Sequence, residues 1–345
     1  MSLVAVATQP DAVAWPIHGW PIGELPAGAD AGFIAGALDH AFAAEAPADL
    51  GETHALLAAQ GGRLVLERYA QGFGPDVTCR SWSMAKSITH ALVGLAVLDD
   101  RVDIAAPADV PAWRGAGDPR GAITLDHLLR MSSGLAFIEE YVPGAPSDVI
   151  EMLFGEGKDD VAAFAAGFPL AHPPGSFFAY SSGTTNIVSG CLSRALGANG
   201  AAFEAFMRER LFGPLGMTTA DPRFDAAGTF IGSSFCFASP RDFARFGLLY
   251  LRDGLWEGHR LLPEGWVDYA RTPTFQQPGG GADGRYGAHW WLDIAGPGSF
   301  SANGYDGQYI VLVPEKDLIL VRHGATPMAR KDNLKAWMRD LAAAF

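Results

Sequence analysis

The sequence predicts an α/β plus all-α architecture: an antiparallel sheet flanked by helices, with a helical lobe inserted into it. Two observations favour this fold class. Segments rich in strand-forming residues stand at both ends of the chain, at 54–70 and 309–322, whereas helical patterns fill its middle. In addition, residues 82–98 are apolar on nearly every side, which is typical of a helix buried inside a protein.

The order of these segments predicts the domain organisation. Strands at both termini would form one sheet, so residues 1–115 and 225–345 are expected to make a discontinuous α/β domain. Residues 116–224 would then form the helical lobe, and the two parts would work as one unit.

The strands are predicted as two hairpins. Residues 54–60 and 63–70 are alternating or apolar runs, and Gly61 and Gly62 between them suit a tight turn. Residues 309–313 and 318–322 form the second pair around a turn that starts at Pro314. A last helix is expected at 332–344.

The middle of the chain is predicted to be mainly helical. Thr124 would cap a short helix at 124–131, and longer helices are expected at 184–196, 202–211 and 240–251. Glycine and proline interrupt 139–168, which predicts a looser segment able to carry a mobile lid.

Composition and charge exclude several classes of partner. The 345 residues are 49% hydrophobic and 18% charged, which allows a large core. The net charge is −13 and lysine and arginine form no cluster, so neither nucleic acid nor an anionic membrane surface is an expected partner. No apolar stretch reaches the roughly 20 residues that a membrane span requires.

The N-terminal residues 1–15 lack the basic start and apolar centre of a secretory signal, so the chain as it stands is expected to be cytoplasmic. A periplasmic or secreted protein is expected instead if a signal segment was removed. The cysteines Cys79, Cys191 and Cys236 are odd in number and far apart, which fits neither a disulfide framework nor a zinc site. No metal or other cofactor is expected, and the sequence does not indicate an oligomeric state.

The strongest chemical signal is Ser83-Met84-Ala85-Lys86 at the start of the apolar helix. Residues three apart lie on one helix face, so the hydroxyl and the amine can meet. Burial disfavours the charged amine, which prepares Lys86 to take the Ser83 proton. The backbone N–H of Ser83 at the helix start could serve in an oxyanion hole. The alternative, a surface lysine after a capping serine, is disfavoured by the apolar residues that follow.

Two further segments could complete a site. In Tyr180-Ser181-Ser182 the tyrosine hydroxyl could relay a proton beside Lys86, although a tyrosine packed at a helix start would look the same locally. At 303–308, glycines at positions 304 and 307 would let a ligand approach backbone N–H groups next to an inner strand.

Together these motifs resemble the serine β-lactamase and penicillin-binding protein superfamily, in its class C-like branch that includes esterases and the 6-aminohexanoate-dimer hydrolase. Five longer segments carry the same resemblance in the same order, which extends it over about 53–330: they are 123–135, 173–192, 211–222, 239–263 and 305–321.

The resemblance implies a β-lactamase/transpeptidase-like fold and a set of roles. Ser83 would be the acylated nucleophile, Lys86 its base and Tyr180 a general acid and base. The oxyanion hole would pair the N–H of Ser83 with that of a residue on the C-terminal strand, Tyr305. Substrate contacts would come from Ser182, Tyr141 on a lid, Gly304 and Asp306.

The sequence differs from that family's pattern at positions that bear on which substrate is bound. Ser182 stands where β-lactamases have asparagine, and no lysine occurs between Lys158 and Lys316. Asp306 lies near the position of the missing lysine and would disfavour an anionic group. A small-molecule ester or amide is therefore the expected substrate. The alternatives are a true β-lactamase or D-alanyl-D-alanine carboxypeptidase, and a penicillin-recognising sensor that does not turn over.

Several other motifs are expected to be structural. His90 shares a helix face with Lys86 and is predicted to be a buried, hydrogen-bonded histidine. His323-Gly324 is expected to follow the strand at 318–322, outside the site. The glycine-rich 279–284 fits a dinucleotide-binding pattern but follows no strand, so it is predicted to be a loop.

Overall fold

The computed structural model describes residues 3–141, 144–275 and 285–345. Its main feature is a seven-stranded antiparallel sheet in the order β2-β1-β11-β10-β9-β8-β7. The strands are β1 Glu52–Gln60, β2 Arg63–Tyr69, β7 Arg285–Tyr286, β8 Trp291–Leu292, β9 Phe300–Gly304, β10 Gln308–Val313 and β11 Leu318–Ala325. The short pairs β3 Asp221–Pro222 with β4 Cys236–Phe237, and β5 Leu255–Trp256 with β6 His259–Arg260, lie outside this sheet.

The helices fill the middle of the chain and flank the sheet. They are α1 Ala31–Ala41, α2 Ala85–Leu98, α3 Leu125–Leu129, α4 Asp148–Phe154, α5 Val161–Ala166, α6 Ser182–Leu196, α7 Gly200–Met207, α8 Gly213–Leu215, α9 Pro240–Leu251, α10 Trp266–Ala270 and α11 Lys331–Ala343. Within the described ranges, no helix is long and apolar enough to cross a membrane.

Strands from the two chain ends meet at the centre of the sheet. Strand β1 pairs with β11 along its length, with Ala58 opposite Leu320. Both predicted hairpins are confirmed, but the sequence did not reveal β7, β8 and β9. Strands β7 and β8 are only two residues long, too short to show a period of two.

Alternating residues of the sheet face two apolar clusters, one on each side. Leu57 and Ala59 of β1 belong to the larger cluster, which includes α2 and α9. Leu56 and Ala58 belong to the other, which includes α1 and α11. Successive side chains of a strand point to opposite faces, and both faces of β1 are buried. The centre of β1 is therefore apolar at every position instead of at alternate ones.

Helix α2 lies within the larger cluster, and every residue from Ala85 to Ala96 is buried. The buried helix predicted at 82–98 is therefore confirmed, with a 3₁₀ turn at Trp82–Met84 as its first part. The same cluster contains residues of both predicted domains, so it does not mark where one domain ends and the other begins. The boundaries at 115/116 and 224/225 stay a prediction.

The segment at 139–168 differs from its prediction. Instead of a loose stretch it contains α4 and α5, and Asp160 caps α5 by accepting a hydrogen bond from the Ala163 N–H at 2.9 Å. Helix α5 packs against α6. The glycine-rich 279–284 lies outside the described residues.

Candidate active site

Ser83 lies in the 3₁₀ turn that leads into α2, and its side chain lines a cavity of about 420 Å³. The preceding residue, Trp82, has a φ of 42°, which is rare for a bulky side chain. Such strained conformations persist where the surrounding structure holds them, often at functional sites. Here the Trp82 ring packs with those of Tyr305 and Phe235, each at 5.9 Å between ring centroids.

Lys86 is buried, with 1% of the residue exposed, and its amine faces the nucleophile. Nζ donates hydrogen bonds to Oγ of Ser83 and to Oγ of Ser182, both at 2.9 Å. A third bond, of 3.0 Å, goes to the backbone carbonyl of Ser233. The contact predicted from the Ser-x-x-Lys spacing is confirmed.

Burial also changes the acidity of Lys86. Removal from water penalises the ammonium and lowers the pKa of Lys86 to about 8, while the negative charge of Glu139 opposes this shift. Near neutral pH a minor fraction of the amine is therefore neutral, and this fraction can act as a base.

The start of α6 supplies the second partner of Lys86. Helix α6 begins at Ser182 because the hydroxyl of Ser181 accepts from the Thr184 N–H at 3.2 Å and caps it. Ser182 is 1% exposed and its hydroxyl donates to Oε1 of Glu139 at 2.9 Å. Its side chain thus bonds Lys86 and Glu139, and it is not among the described residues that line the cavity. The substrate contact implied for Ser182 by the resemblance stays a prediction.

Tyr180 lines the cavity beside Lys86. The Lys86 Nζ lies 4.8 Å from the centroid of the Tyr180 ring, a cation–π distance. Rings of Tyr286 and Trp291 hold Tyr180 from other sides, at 5.8 and 5.2 Å between centroids. Tyr180 is therefore brought to the predicted place, next to the nucleophile and its base.

The end of β9 approaches the nucleophile turn closely. A Cβ added to Gly304 would lie 2.3 Å from the backbone carbonyl oxygen of Ser81, so only glycine fits there. Tyr305, expected on a strand, instead begins the 3₁₀ turn Tyr305–Gly307 between β9 and β10. The different backbone conformation leaves Tyr305 at the site, because this turn and Ser83 line the same cavity.

A buried arginine stabilises the turn Tyr305–Gly307 by hydrogen bonds. Arg322 on β11 donates to the backbone carbonyls of Gly307 at 2.9 Å and Asp306 at 3.3 Å. Asp306 has a φ of 59° and lines the cavity. Partial burial raises the pKa of Asp306, which nearby arginines oppose.

Tyr141 lies at the cavity mouth, with 42% of the residue exposed. Its hydroxyl donates to Oε1 of Glu139 at 2.8 Å, and its ring centroid is 5.2 Å from that of Tyr305. The two tyrosines thus face each other beside the nucleophile. This position suits a substrate contact, the role that the resemblance implies for Tyr141.

Sequence reasoning missed several residues of the cavity. Glu139, Glu140 and Trp291 line it, and Glu139 bonds directly to Ser182. None of these residues belongs to a short motif, so no spacing could reveal them.

Helix α11 adds two cationic side chains to the cavity that the sequence did not indicate. No lysine occurs between Lys158 and Lys316, but Lys331 and Lys335 of α11 line the cavity. The Lys335 side chain is 15% exposed. The cavity therefore contains side chains of both charges.

The discounted histidines are buried and hydrogen-bonded. His90 Nδ1 lies 2.8 Å from the Tyr250 hydroxyl, and His323 Nδ1 lies 3.0 Å from Gln308 Oε1. His323 is on β11, which is longer than predicted, and does not follow the strand. Burial lowers the pKa of His323 to about 3 and that of His90 well below its usual range. The structural interpretation of His90 is confirmed.

The chain is similar in sequence to a known family and to a curated protein. The family model described as Beta-lactamase matches residues 50–344. The 6-aminohexanoate-dimer hydrolase of Paenarthrobacter ureafaciens is 24% identical over 317 residues, which cover 80% of this chain and 73% of that protein.

Solved structures show the same fold. A Bacillus anthracis protein provisionally described as a 6-aminohexanoate-dimer hydrolase has a TM-score of 0.75 and 22% identity, and the match covers 99% of this chain and 90% of that one. A family VIII carboxylesterase has a TM-score of 0.68 and 15% identity, covering 92% of this chain and 99% of the other.

Proposed function

Since the chain belongs to the Beta-lactamase family, as its motifs predicted, we propose that it cleaves a small ester or amide through a covalent acyl-enzyme on Ser83. It is a serine hydrolase of this family. The observation that carries the proposal is the 2.9 Å hydrogen bond between the buried Lys86 amine and the Ser83 hydroxyl. This contact joins a nucleophile to a base in a cavity large enough for a small molecule.

The reaction would begin when neutral Lys86 takes the proton of Ser83 and Oγ attacks the substrate carbonyl carbon. The oxyanion would be stabilised by the backbone N–H groups of Ser83 and Tyr305. Tyr180 would deliver a proton to the leaving group. Water activated by Tyr180 and Lys86 would then release the acyl group, so the cycle requires no cofactor.

The cavity favours a neutral ester or amide at the reacting end. Carboxylates of Glu139, Glu140 and Asp306 line it, and they would repel an anionic group placed beside them. Asn303 also lines the cavity, and its buried side-chain oxygen has no hydrogen-bond partner within the described residues. If this side chain turns toward the cavity, the oxygen can accept from the N–H of an amide substrate.

The test compares wild type with Ser83→Ala and with the control Ser176→Ala, which changes an exposed serine outside the cavity. Each protein is assayed on a short p-nitrophenyl ester, a p-nitroanilide and a chromogenic cephalosporin. We expect repeated turnover of an ester or amide by wild type and by Ser176→Ala. Ser83→Ala should lose at least about 10³-fold in kcat/KM.

Other outcomes would point to other functions. Faster hydrolysis of the cephalosporin than of the esters would favour a true β-lactamase or a D-alanyl-D-alanine carboxypeptidase. A single stoichiometric burst without further turnover on every substrate would favour a penicillin-recognising sensor. Equal activity of Ser83→Ala and wild type would overturn the nucleophile assignment.

A further inference from the structure

The hydrogen bonds around Lys86 leave little freedom in how its protons are placed. The carbonyl of Ser233 can only accept a hydrogen bond. The hydroxyl of Ser182 has one hydrogen, and that hydrogen goes to Glu139, because an ionised carboxylate can only accept. Toward Lys86, therefore, Ser182 acts as an acceptor.

Glu139 is itself held in place. Its second oxygen accepts a hydrogen bond from the Ser182 backbone N–H at the start of α6, where a negative charge is favoured by the helix dipole. Its first oxygen also accepts from the Tyr141 hydroxyl at 2.8 Å. These contacts fix the carboxylate so that the Ser182 hydrogen points toward it.

What the Lys86 nitrogen presents to Ser83 depends on the protonation state of the amine. A neutral amine has two hydrogens and one lone pair. Ser233 and Ser182 each take one hydrogen, so the lone pair is left facing the hydroxyl of Ser83. The ammonium has a third hydrogen, which goes to Ser83 and prevents proton transfer.

We infer that Glu139 is a positioning residue: acting through Ser182, it orients the lone pair of neutral Lys86 toward the Ser83 hydroxyl. The inference rests on the proposed function. In the acylation step the Ser83 proton moves to this lone pair, the Oγ–carbon bond forms, and the carbonyl π electrons move onto the substrate oxygen. Glu139 keeps its charge throughout and neither gains nor loses a proton.

The charges around Lys86 make the role of Glu139 measurable. Glu139 on the cavity side favours the ammonium, whereas His289, whose Nδ1 lies 3.0 Å from the Lys86 carbonyl, is neutral because burial lowers its pKa to about 3. The Tyr180 ring lies against the Lys86 amine. Tyr141 and Tyr286 interact with Tyr180 and Glu139, and burial raises the pKa of both phenols. Removal of the Glu139 charge must therefore lower the pKa of Lys86.

The first test is the pH profile of ester hydrolysis in Glu139→Gln. Its midpoint should fall by about one pH unit relative to wild type, since an opposite charge near the amine is lost. Glu140→Gln is the matched control: Glu140 lines the same cavity, but Glu139 is the carboxylate whose charge raises the pKa of Lys86. Its midpoint should stay at the wild-type value. Damage that admits water would instead raise the midpoint, so a higher midpoint in Glu139→Gln overturns the inference.

The second test is a double-mutant cycle on the plateau kcat of Glu139→Ala, Ser182→Ala and the double variant. Each single change should lower kcat about 10- to 100-fold, and the double variant should be no more than about threefold below the worse single one. If the fold-loss of kcat in the double variant equals the product of the two single losses, the inference is overturned. Thermal unfolding checks the fold of each protein, and Glu139→Met, which also lacks the carboxylate acceptor, replaces the alanine variant if that one does not fold.

The outcomes separate this inference from the proposed function. If wild type turns over an ester and Ser83→Ala does not, while Glu139 and Ser182 variants match wild type, only the inference fails. If wild type turns over no ester or amide, the proposed function fails and the inference falls with it.

Discussion

A lysine is usually a poor base near neutral pH, because its amine is protonated there. In this protein the whole side chain of Lys86 lies inside the molecule, and desolvation lowers its pKa to about 8. Three hydrogen bonds still fix the amine, one of them to Ser83. A single buried position thus gives both the geometry and the protonation equilibrium that the reaction requires.

This account predicts the pH dependence of the wild-type enzyme. The reactive form has Lys86 neutral, and the neutral fraction rises as pH rises through the pKa of about 8. The value of kcat/KM should therefore increase about tenfold per pH unit below this midpoint and level off above it. Hydrolysis rates of a neutral ester between pH 5 and 10 measure the profile, and a midpoint near the ordinary lysine value of about 10.4 would contradict the account.

Residues joined by a short spacing could be predicted, and residues joined only by the fold could not. Ser83 and Lys86 lie one helical turn apart, so their contact follows from sequence. Glu139 precedes its partner Ser182 by 43 residues, and their contact depends on how the chain returns to the start of α6. No local pattern carries that information.

At the scale of elements, the site depends on the end of β9 lying against the turn before α2. This approach is close because Gly304 has no side chain to separate the two backbones. Arg322 supports the turn that follows by bonding its carbonyls. In the proposed oxyanion hole, this support would hold the N–H of Tyr305 near that of Ser83.

Gly304→Ala tests this contact. The added Cβ would meet the Ser81 carbonyl at 2.3 Å, so β9 must move away and carry the Tyr305 N–H with it. We expect kcat/KM to fall about 10²- to 10³-fold, as when one oxyanion donor is lost. Gly19→Ala is the control, because a Cβ there would meet nothing within 4 Å. Near-normal kcat/KM in Gly304→Ala would show that the proposed oxyanion hole is elsewhere.

Elements with a clear period were predicted well, and short ones were not. The hairpin β1–β2 has a glycine turn between strand-like runs, and the apolar surface of α2 identifies it as a buried helix. Strands β7 and β8 have two residues each, and they depend on pairing: β8 pairs with the edge of β9, and β7 pairs with β8. Helices α4 and α5 were missed since the glycines and prolines nearby obscure their short patterns.

For the whole molecule, the site depends on a sheet whose strands come from both the N-terminal and the C-terminal parts of the chain. Strand β11 pairs with β1 on one side and β10 on the other, and β10 carries β9 with its turn. The family match over residues 50–344 spans the strands from both ends. The sequence indicated this arrangement, because strand patterns occur at both termini and helical ones between them.

Leu312→Ala is expected to destabilise the whole fold. Leu312 on β10 is fully buried in the larger cluster, so its truncation leaves a cavity that costs about 2–5 kcal/mol in the free energy of unfolding. Ile22→Ala is the control, as Ile22 is 66% exposed and should change that free energy by less than about 0.5 kcal/mol. Urea unfolding measures both values, and equal values would contradict the central role of β10.

The central claim is that Ser83 carries the acyl group. The most direct measurement is mass spectrometry of the protein trapped with a fluorophosphonate probe and digested into peptides. We predict one added group per chain, on the hydroxyl of Ser83, lost in Ser83→Ala and formed much more slowly in Lys86→Met. Equal labelling of Ser83→Ala and wild type, or a label on another residue, would contradict the account.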